Sequence, residues 1–373
     1  MDRKRQEVRD SSFELLRIIS MISIVISHFA THGGFHFDAQ TLSIPRFWWY
    51  FIEMGGYFGV NVFVLISGYF LINDRSGLFN YKRILKFWGQ VVFYSLAIYV
   101  IFVLAGVSEF SWKEMIGTLC PITTNRWWFA STYFELYLLH PFLNMFLRRM
   151  DRGIFQKFLV LLIIMWCIVP TLAPEDYLVN PLVWFVTLYS VAAYIRLYGL
   201  NPRFKCRHYL CLCILFSLLR YLSSVTLIVL GTKVPIASRR YVEFYERWSV
   251  LTFLSALSMF MVFYSIKMGY NKWINVIASA TFGVYLIHDN RIVRPFLWQT
   301  VFKNAFYQDS ALIIPYSIAV MLLVYSVCTI IDLIRKATVE KAYVAAVDTY
   351  ADTWVRPFKA MVGAVKRFVF GNV

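Results

Sequence analysis

The chain has 373 residues, 59% of them hydrophobic and 16% charged, with a mean hydropathy of +0.59. Soluble domains run at about 45–50% apolar and about 25% charged, so an ordinary water-soluble domain is excluded. The net charge is +16, but the basic residues stand in short clusters between apolar runs, a pattern of membrane topology rather than of a nucleic-acid surface.

Apolar runs of about 20 residues, the length that crosses a bilayer as a helix, recur from end to end. They predict an all-α polytopic bundle with ten spans, near 13–31, 47–72, 87–106, 127–147, 158–173, 181–199, 209–230, 247–266, 274–292 and 311–334. With the amino terminus inside, the cytoplasmic segments hold 25 of the 37 Lys and Arg residues and the opposite segments hold 9. The positive-inside rule therefore puts both termini in the cytoplasm. The basic start MDRKRQEVRD leads into the first span without an A-x-A-like site after it, so that span is expected to stay uncleaved. No internal repeat is evident, which counts against a transporter built on inverted repeats.

Residues 1–334 are read as one transmembrane domain and 335–373 as a cytoplasmic amphipathic tail. In the tail, Val339, Tyr343, Val347, Tyr350 and Trp354 recur at three- or four-residue spacing, and Pro357 is expected to separate a second segment. Both segments read as interfacial helices.

The first span carries Arg17 and His28. Ionisable residues inside a membrane are costly and usually face a cavity or a partner. Eleven residues turn a helix to within about 20° of its starting direction and advance it about 16 Å, so the two share one stripe. Arg17 can hold a phosphate as a permanent forked cation, and His28 can exchange a proton near neutral pH. The plainer reading pairs Arg17 with Glu14, three residues back, and hydrogen-bonds His28 in the bundle.

Gly55, Gly56, Gly59 and Gly68 in the second span permit close helix approach or a locally broken helix. Lys82, Arg83 and Lys86 then cluster at the start of the third span, where they can complete an anion site with Arg17. In the fourth span Glu135 is an expensive residue that should face a polar interior, Trp127 and Trp128 read as interface anchors, and Pro141 as a kink. His140 points to another face and receives no catalytic role. Tyr285, His288, Asp289 and Arg291 form a polar cap at the end of the ninth span, able to line an acceptor pocket or simply to finish an exposed helix end. No metal site is assigned: His28 and His32 have i,i+4 ligand spacing but no acidic ligand near them in sequence, and Cys206-x-His208-x-x-Cys211-x-Cys213 fits no common zinc pattern. Reduced thiols are expected for the six cysteines.

In order, these motifs resemble the membrane acyltransferase 3 family, whose members transfer acyl groups, often acetyl from acetyl-CoA, to sugars of the bacterial envelope. The Arg-x10-His element is Arg17 and His28, and the segment ending Ser-Gly-aromatic-Phe is VFVLISGYF. The basic R-x-x-R element is Arg83 to Lys86, which keeps the charge but loses one bidentate fork. The aromatic and acidic pattern of the fourth span is Trp128, Phe129, Glu135, Tyr137, Leu138 and Pro141, and the late Gly-x-Tyr-Leu-x-His is Gly283, Tyr285, Leu286 and His288.

The resemblance implies an acyl-CoA, acetyl-CoA first, as co-substrate with no permanently bound cofactor. It implies acyl-CoA binding by Arg17, Lys82, Arg83 and Lys86, and His28 as general base or transient acyl carrier, with Glu135 orienting it. Trp128, Tyr285 and His288 become candidates for acceptor binding. Expected partners are the bilayer and an envelope polysaccharide or lipid-linked glycan, with no nucleic acid, and the expected location is the bacterial cytoplasmic membrane. No fused extracellular hydrolase-like domain is expected. The rival reading is a polysaccharide transporter or polymerase, which needs neither acetyl-CoA nor an acid-base His28; a third is a membrane sensor or scaffold.

Overall fold

The computed structural model describes residues 10–38, 42–76, 80–173, 179–199, 201–234, 237, 240 and 244–370; the basic cluster at residues 1–9 and Arg239 lie outside them. Helices occupy every one of the ten expected span positions, and the described residues contain no strand. In chain order they are α1 (Ser12–His32), α2 (Ile44–Glu53), α3 (Gly55–Leu71), α4 (Tyr81–Leu104), the short α5 (Trp112–Leu119), α6 (Trp128–Leu147), α7 (Arg152–Leu172), α8 (Pro181–Tyr198), α9 (Cys206–Gly231), α10 (Val250–Ser265), α11 (Lys272–Ser279), α12 (Thr281–His288), α13 (Ile313–Arg335) and α14 (Lys341–Phe370).

Their starts follow capping chemistry. Asn80 Oδ1 accepts from Arg83 N at 3.2 Å, Asp151 Oδ1 from Ile154 N at 2.9 Å, and Asn180 Oδ1 from Leu182 N at 2.8 Å ahead of Pro181. Each supplies an acceptor to an amide that the first helical turn leaves without one.

Among the described residues, seven segments are long and apolar enough to cross a membrane: α1, α2 with α3, α4, α7, α8, α9, and the run from Ile313 to Val365. The other three expected spans are helical but shorter or more polar. α6 has 20 residues that include Glu135, His140 and Asn144, α10 has 16, and the expected ninth span is divided into α11 and α12 of eight residues each. The chain is thus a multi-pass helical membrane protein. The second span is broken, as its glycines allow, with Met54 between α2 and α3. The fifth is longer than expected: it starts at Arg152, where Asp151 caps it, and carries a π-helical stretch at Ile164–Ile168. Pro357 does not divide the tail, because α14 runs through it unbroken.

α1 sits at the centre, packed against α2, α3 and α10 to α13. Of its most apolar stretch 61% is buried, against 22% in α7 and α9, which turn residues such as Leu172, Ile214 and Leu218 outward. In lipid an apolar outward face costs nothing, so the polar residues, not the apolar ones, mark the interior. The α1–α3 seam is close because it is built from glycine: a Cβ on Gly59 would stand 2.5 Å from Ser20 O, and one on Gly56 would stand 2.6 Å from Ser27 Oγ.

Breaking the second span releases carbonyls that the bilayer cannot solvate, and side chains take them up. Ser27 Oγ donates to Glu53 O at 2.7 Å, and the buried guanidinium of Arg220 donates to Met54 O at 3.0 Å and to Thr252 Oγ1 at 3.2 Å. A second buried charge, Asp332 of α13, accepts from Tyr94 Oη at 2.7 Å and Arg335 Nε at 2.9 Å, and fills the space that a side chain on Gly283 of α12 would need. Outside the bundle, α14 lies along the start of α4, with Tyr343 donating to Leu85 O. Its stripe is split: Val347, Ala351 and Val355 are buried, whereas Tyr350 and Trp354 stack on each other and stay exposed.

Candidate active site

One cavity of about 670 Å³ runs along α1, from Glu14 and Arg17 at one end to His28 and His32 at the other. Its walls come from α3, α4, α6 and α12 and include Phe63, Phe87, Phe129, Tyr133, Phe282 and Tyr285. The shared stripe that eleven-residue spacing predicts for Arg17 and His28 is therefore a wall of this cavity.

At the His28 end the hydrogen bonds fix the protonation of two imidazoles. His288, fully buried behind His28, lies with Nδ1 2.6 Å from Val284 O. A carbonyl only accepts, so His288 Nδ1 carries a proton, and in the neutral ring Nε2 carries the lone pair. His28 Nδ1 stands 3.0 Å from that Nε2, to which it donates, and lies 3.3 Å from the Asp289 Oδ1 carboxylate oxygen. His28 Nε2 is then the free basic nitrogen, on a ring that lines the cavity and is 18% exposed. Asp289, 1% exposed, also receives Arg294 Nε at 2.7 Å and lies 3.7 Å from His32 Nε2. An oriented base, backed by a carboxylate that stabilises the imidazolium formed on proton uptake, is the arrangement of general-base catalysis.

His28, His32 and Asp289 also bring three atoms able to ligate a metal within 4.8 Å of one another. Folding thus supplies the acidic group that sequence neighbours lack. The guanidinium of Arg294 already meets this carboxylate at 2.7 Å, so the chain itself places a cation on Asp289.

At the opposite end Arg17 Nη1 donates to both oxygens of Glu14 at 3.1 Å while lining the cavity, so the plain pairing and an anion-facing position coexist. The other three basic candidates lie outside this cavity. Arg83 Nη1 meets Asp74 Oδ2 at 2.7 Å, and Lys82 and Lys86 lie 3.8 and 3.3 Å from Asp348 Oδ1 of α14. Lys86 lines a second, smaller cavity of about 380 Å³ between α4 and the tail, and Phe87 borders both cavities. Asp74 holds a charge readily despite partial burial: backbone and side-chain hydrogen bonds from Ser76, together with Arg83, keep its carboxyl below the usual range.

Three expectations need correction. Glu135 is exposed and does not line the cavity. It stands two residues, about 200° of helix turn, from Tyr133, which does; the carboxylate beside His28 is Asp289. His288 does not line the cavity either: it is the group behind His28, not a contact for an acceptor. Trp127 and Trp128 are not interface anchors, since Trp127 is buried and Trp128 lines the cavity. The other acceptor candidate, Tyr285, lines the cavity as well.

Sequence reasoning missed Glu53 at the end of α2 and Glu246 with Arg247 in the loop before α10. Both carboxylates line the cavity. Glu53 Oε2 is buried with no hydrogen-bond partner among the described residues, an arrangement that costs about 1–3 kcal/mol unless a ligand or water supplies a donor. Burial raises the Glu246 carboxyl above its ordinary value, against the opposing pull of Arg247. The Arg247 guanidinium lies over Trp128 at 4.4 Å, Tyr57 at 4.8 Å and Trp248 at 5.3 Å. The signal for Glu53 was in the sequence: an acidic residue in an apolar run, before two glycines.

Compared with known proteins, residues 10–333 match the family model described as an acyltransferase domain, of the acyltransferase 3 type. No curated protein and no solved structure matches the chain.

Proposed function

The chain belongs to the membrane acyltransferase 3 family and is an acyltransferase, and from that premise we propose that it moves an acetyl group from cytoplasmic acetyl-CoA to a hydroxyl of an envelope glycan. The observation that carries this reading is the single cavity holding both Arg17 and His28. A donor whose phosphates rest at the Arg17 end can extend its pantetheine arm along α1, which advances about 16 Å between the two residues. Arg83 and Lys86 act at the entry, with Lys82 helping, and exchange their present carboxylate partners for phosphate.

At the other end His28 Nε2 takes the proton of the acceptor hydroxyl as its oxygen bonds to the thioester carbonyl carbon. The C–S bond then breaks, and the departing CoA thiolate receives the proton from the imidazolium. Asp289 holds that imidazolium, and His288 holds the ring in the tautomer that leaves Nε2 basic. The same nitrogen is the one that would carry an acyl group in a two-step route. In this reading the bacterial cytoplasmic membrane is the site of action, and the donor is bound only for the duration of turnover.

The test is transfer of label from radioactive acetyl-CoA to envelope glycans, in membranes holding the wild-type protein or His28→Ala, with folding checked by detergent chromatography. Label reaching glycan only with His28 intact is the expected result, and label retained on the protein without acceptor would add the acyl-histidine step. Well-folded wild-type protein that transfers nothing from any of several acyl-CoA donors would overturn the reading.

A further inference from the structure

The His28 end of the cavity opens into a chamber of different chemistry, built by the break in the second span. Glu53 is the last residue of α2, and its carbonyl is held by Ser27 Oγ at 2.7 Å, one residue along α1 from His28. Gly55 and Gly56 let the start of α3 come this close, since side chains there would meet Ser23 O at 2.7 Å and Ser27 Oγ at 2.6 Å. Facing the chamber are the Glu53 and Glu246 carboxylates and the rings of Tyr57 and Trp128. The loop bearing Glu246 is fixed to α3 by Asn61 Nδ2, which donates to Arg247 O at 2.7 Å, while Trp184 Nε1 donates to Asn61 Oδ1 at 3.0 Å.

The two carboxylates differ in what surrounds them. Glu246 Oε2, also buried without a hydrogen-bond partner among the described residues, lies 4.0 Å from Arg247 Nε, and that guanidinium is held in place by three aromatic rings. Glu53 pairs with no cation among the described residues, and its Oε2 is closed to solvent without a hydrogen-bond partner. An intramembrane carboxylate kept unpaired beside a cavity is a binding group whose partner arrives from outside the chain. That partner brings a group that can hydrogen-bond a carboxyl, and a hydroxyl suits it because it both donates and accepts. Glu246 already faces the fixed positive charge of Arg247, so the chamber fits a neutral polar ligand such as a sugar hydroxyl.

We propose that Glu53, with Glu246, is a hydroxyl clamp for the acceptor: the two carboxyl groups hold hydroxyls of a neutral sugar ring seated in the part of the cavity that Tyr57 and Trp128 line, and so turn a further hydroxyl of that ring toward His28. The clamp rests on the acyl-transfer reading for its purpose, not for its ability to bind. Glu53 carries more of the affinity than Glu246, because Glu246 already faces the Arg247 guanidinium.

The experiment measures acetyl transfer at saturating acetyl-CoA to short neutral hexose oligosaccharides cut from the host envelope glycan. Glu53→Gln raises the acceptor KM at least tenfold and leaves the KM for acetyl-CoA within twofold, and Glu246→Gln does the same to a smaller extent. An unchanged acceptor KM in well-folded Glu53→Gln, or equal rises in both KM values, overturns the clamp. Should Glu53→Gln fail to fold, wild-type protein decides by competition: neutral oligosaccharides bind at least as tightly as amino-sugar oligosaccharides of the same length, and the reverse order overturns the assignment. If wild-type protein transfers no acetyl group at all, the reading beneath has failed, and retention of tritiated neutral oligosaccharide by wild type but not by Glu53→Gln still decides the clamp.

Discussion

The His28 end of the cavity and the start of α4 hold their charges in opposite ways. At the His28 end, Asp289 is 1% exposed and is gripped by Arg294 at 2.7 Å, with His28 and His32 behind it. At the start of α4, Lys82 and its partner Asp348 are 49% and 48% exposed and 3.8 Å apart. Buried and multiply bonded groups cannot reorganise without leaving a charge unpaired, whereas exposed pairs exchange partners at little cost. The difference fits a division of labour: the chemistry is set in advance at one end, and a highly charged ligand trades places with surface carboxylates at the other.

The largest expected effect breaks the fixed end outright. His28→Ala removes the base, and general acid–base catalysis is worth about 10²–10⁴-fold. The initial rate of label transfer should fall by about a thousandfold while the KM for acetyl-CoA stays put. A rate within tenfold of wild type would show that His28 Nε2 is not the base, and the comparison would lose its fixed half.

Next comes Asp289→Asn, which keeps the shape and removes the charge that the imidazolium faces. A drop in kcat of about a hundredfold is expected, the lower end of what general acid–base catalysis contributes, again with little change in the KM for the donor. Glu135→Gln is the matched control: its carboxylate is exposed and outside the cavity, so kcat should stay within about twofold of wild type, the ordinary result for a surface change. Equal losses in the two variants would mean that distance from His28 does not decide the role.

That pair also marks how far the sequence could be read. Arg17 and His28 were legible because helical periodicity alone puts them on one stripe, and cavity and stripe coincide. Helix positions were legible from apolar length, even where α11 and α12 divide one expected span. The partner of His28 was not, because it comes from a helix end some 260 residues away in the chain, and no local spacing encodes that approach. The cost argument that singles out Glu135 applies equally to Glu53 and Asp332; it ranks residues by expense but does not say which helix face turns inward. Only packing separates the exposed Glu135 from the buried Asp332.

Arg17→Ala probes the opposite end of the cavity, between the two regions. Arg17 is 27% exposed and bound at 3.1 Å to the buried Glu14, yet lines the cavity, so it stands between the two classes: its own side chain is partly open and its partner is not. Losing a charge-assisted contact to phosphate should raise the KM for acetyl-CoA by about tenfold and leave kcat at saturating donor nearly intact, with Arg17→Lys recovering part of the loss. A fall in kcat with an unchanged KM would instead make Arg17 a structural partner of Glu14.

The smallest expected effect tests the exchangeable half directly. Asp348 on α14 lies near both Lys82 and Lys86, so any phosphate drawn to those lysines competes with the tail. Asp348→Asn should lower the KM for acetyl-CoA by about twofold, the scale that an exposed and screened pair permits. The same KM should rise with added salt in the wild-type protein, because screening weakens lysine–phosphate attraction along with the lysine–Asp348 pairs, and the donor carries the larger charge. Combining Asp348→Asn with Lys86→Ala separates competition from a mere loosening of the tail. Competition at Lys86 predicts that the gain shrinks once Lys86 is gone, whereas a loosened tail leaves it in place, and a gain that survives whole would put the exchange somewhere other than Lys86.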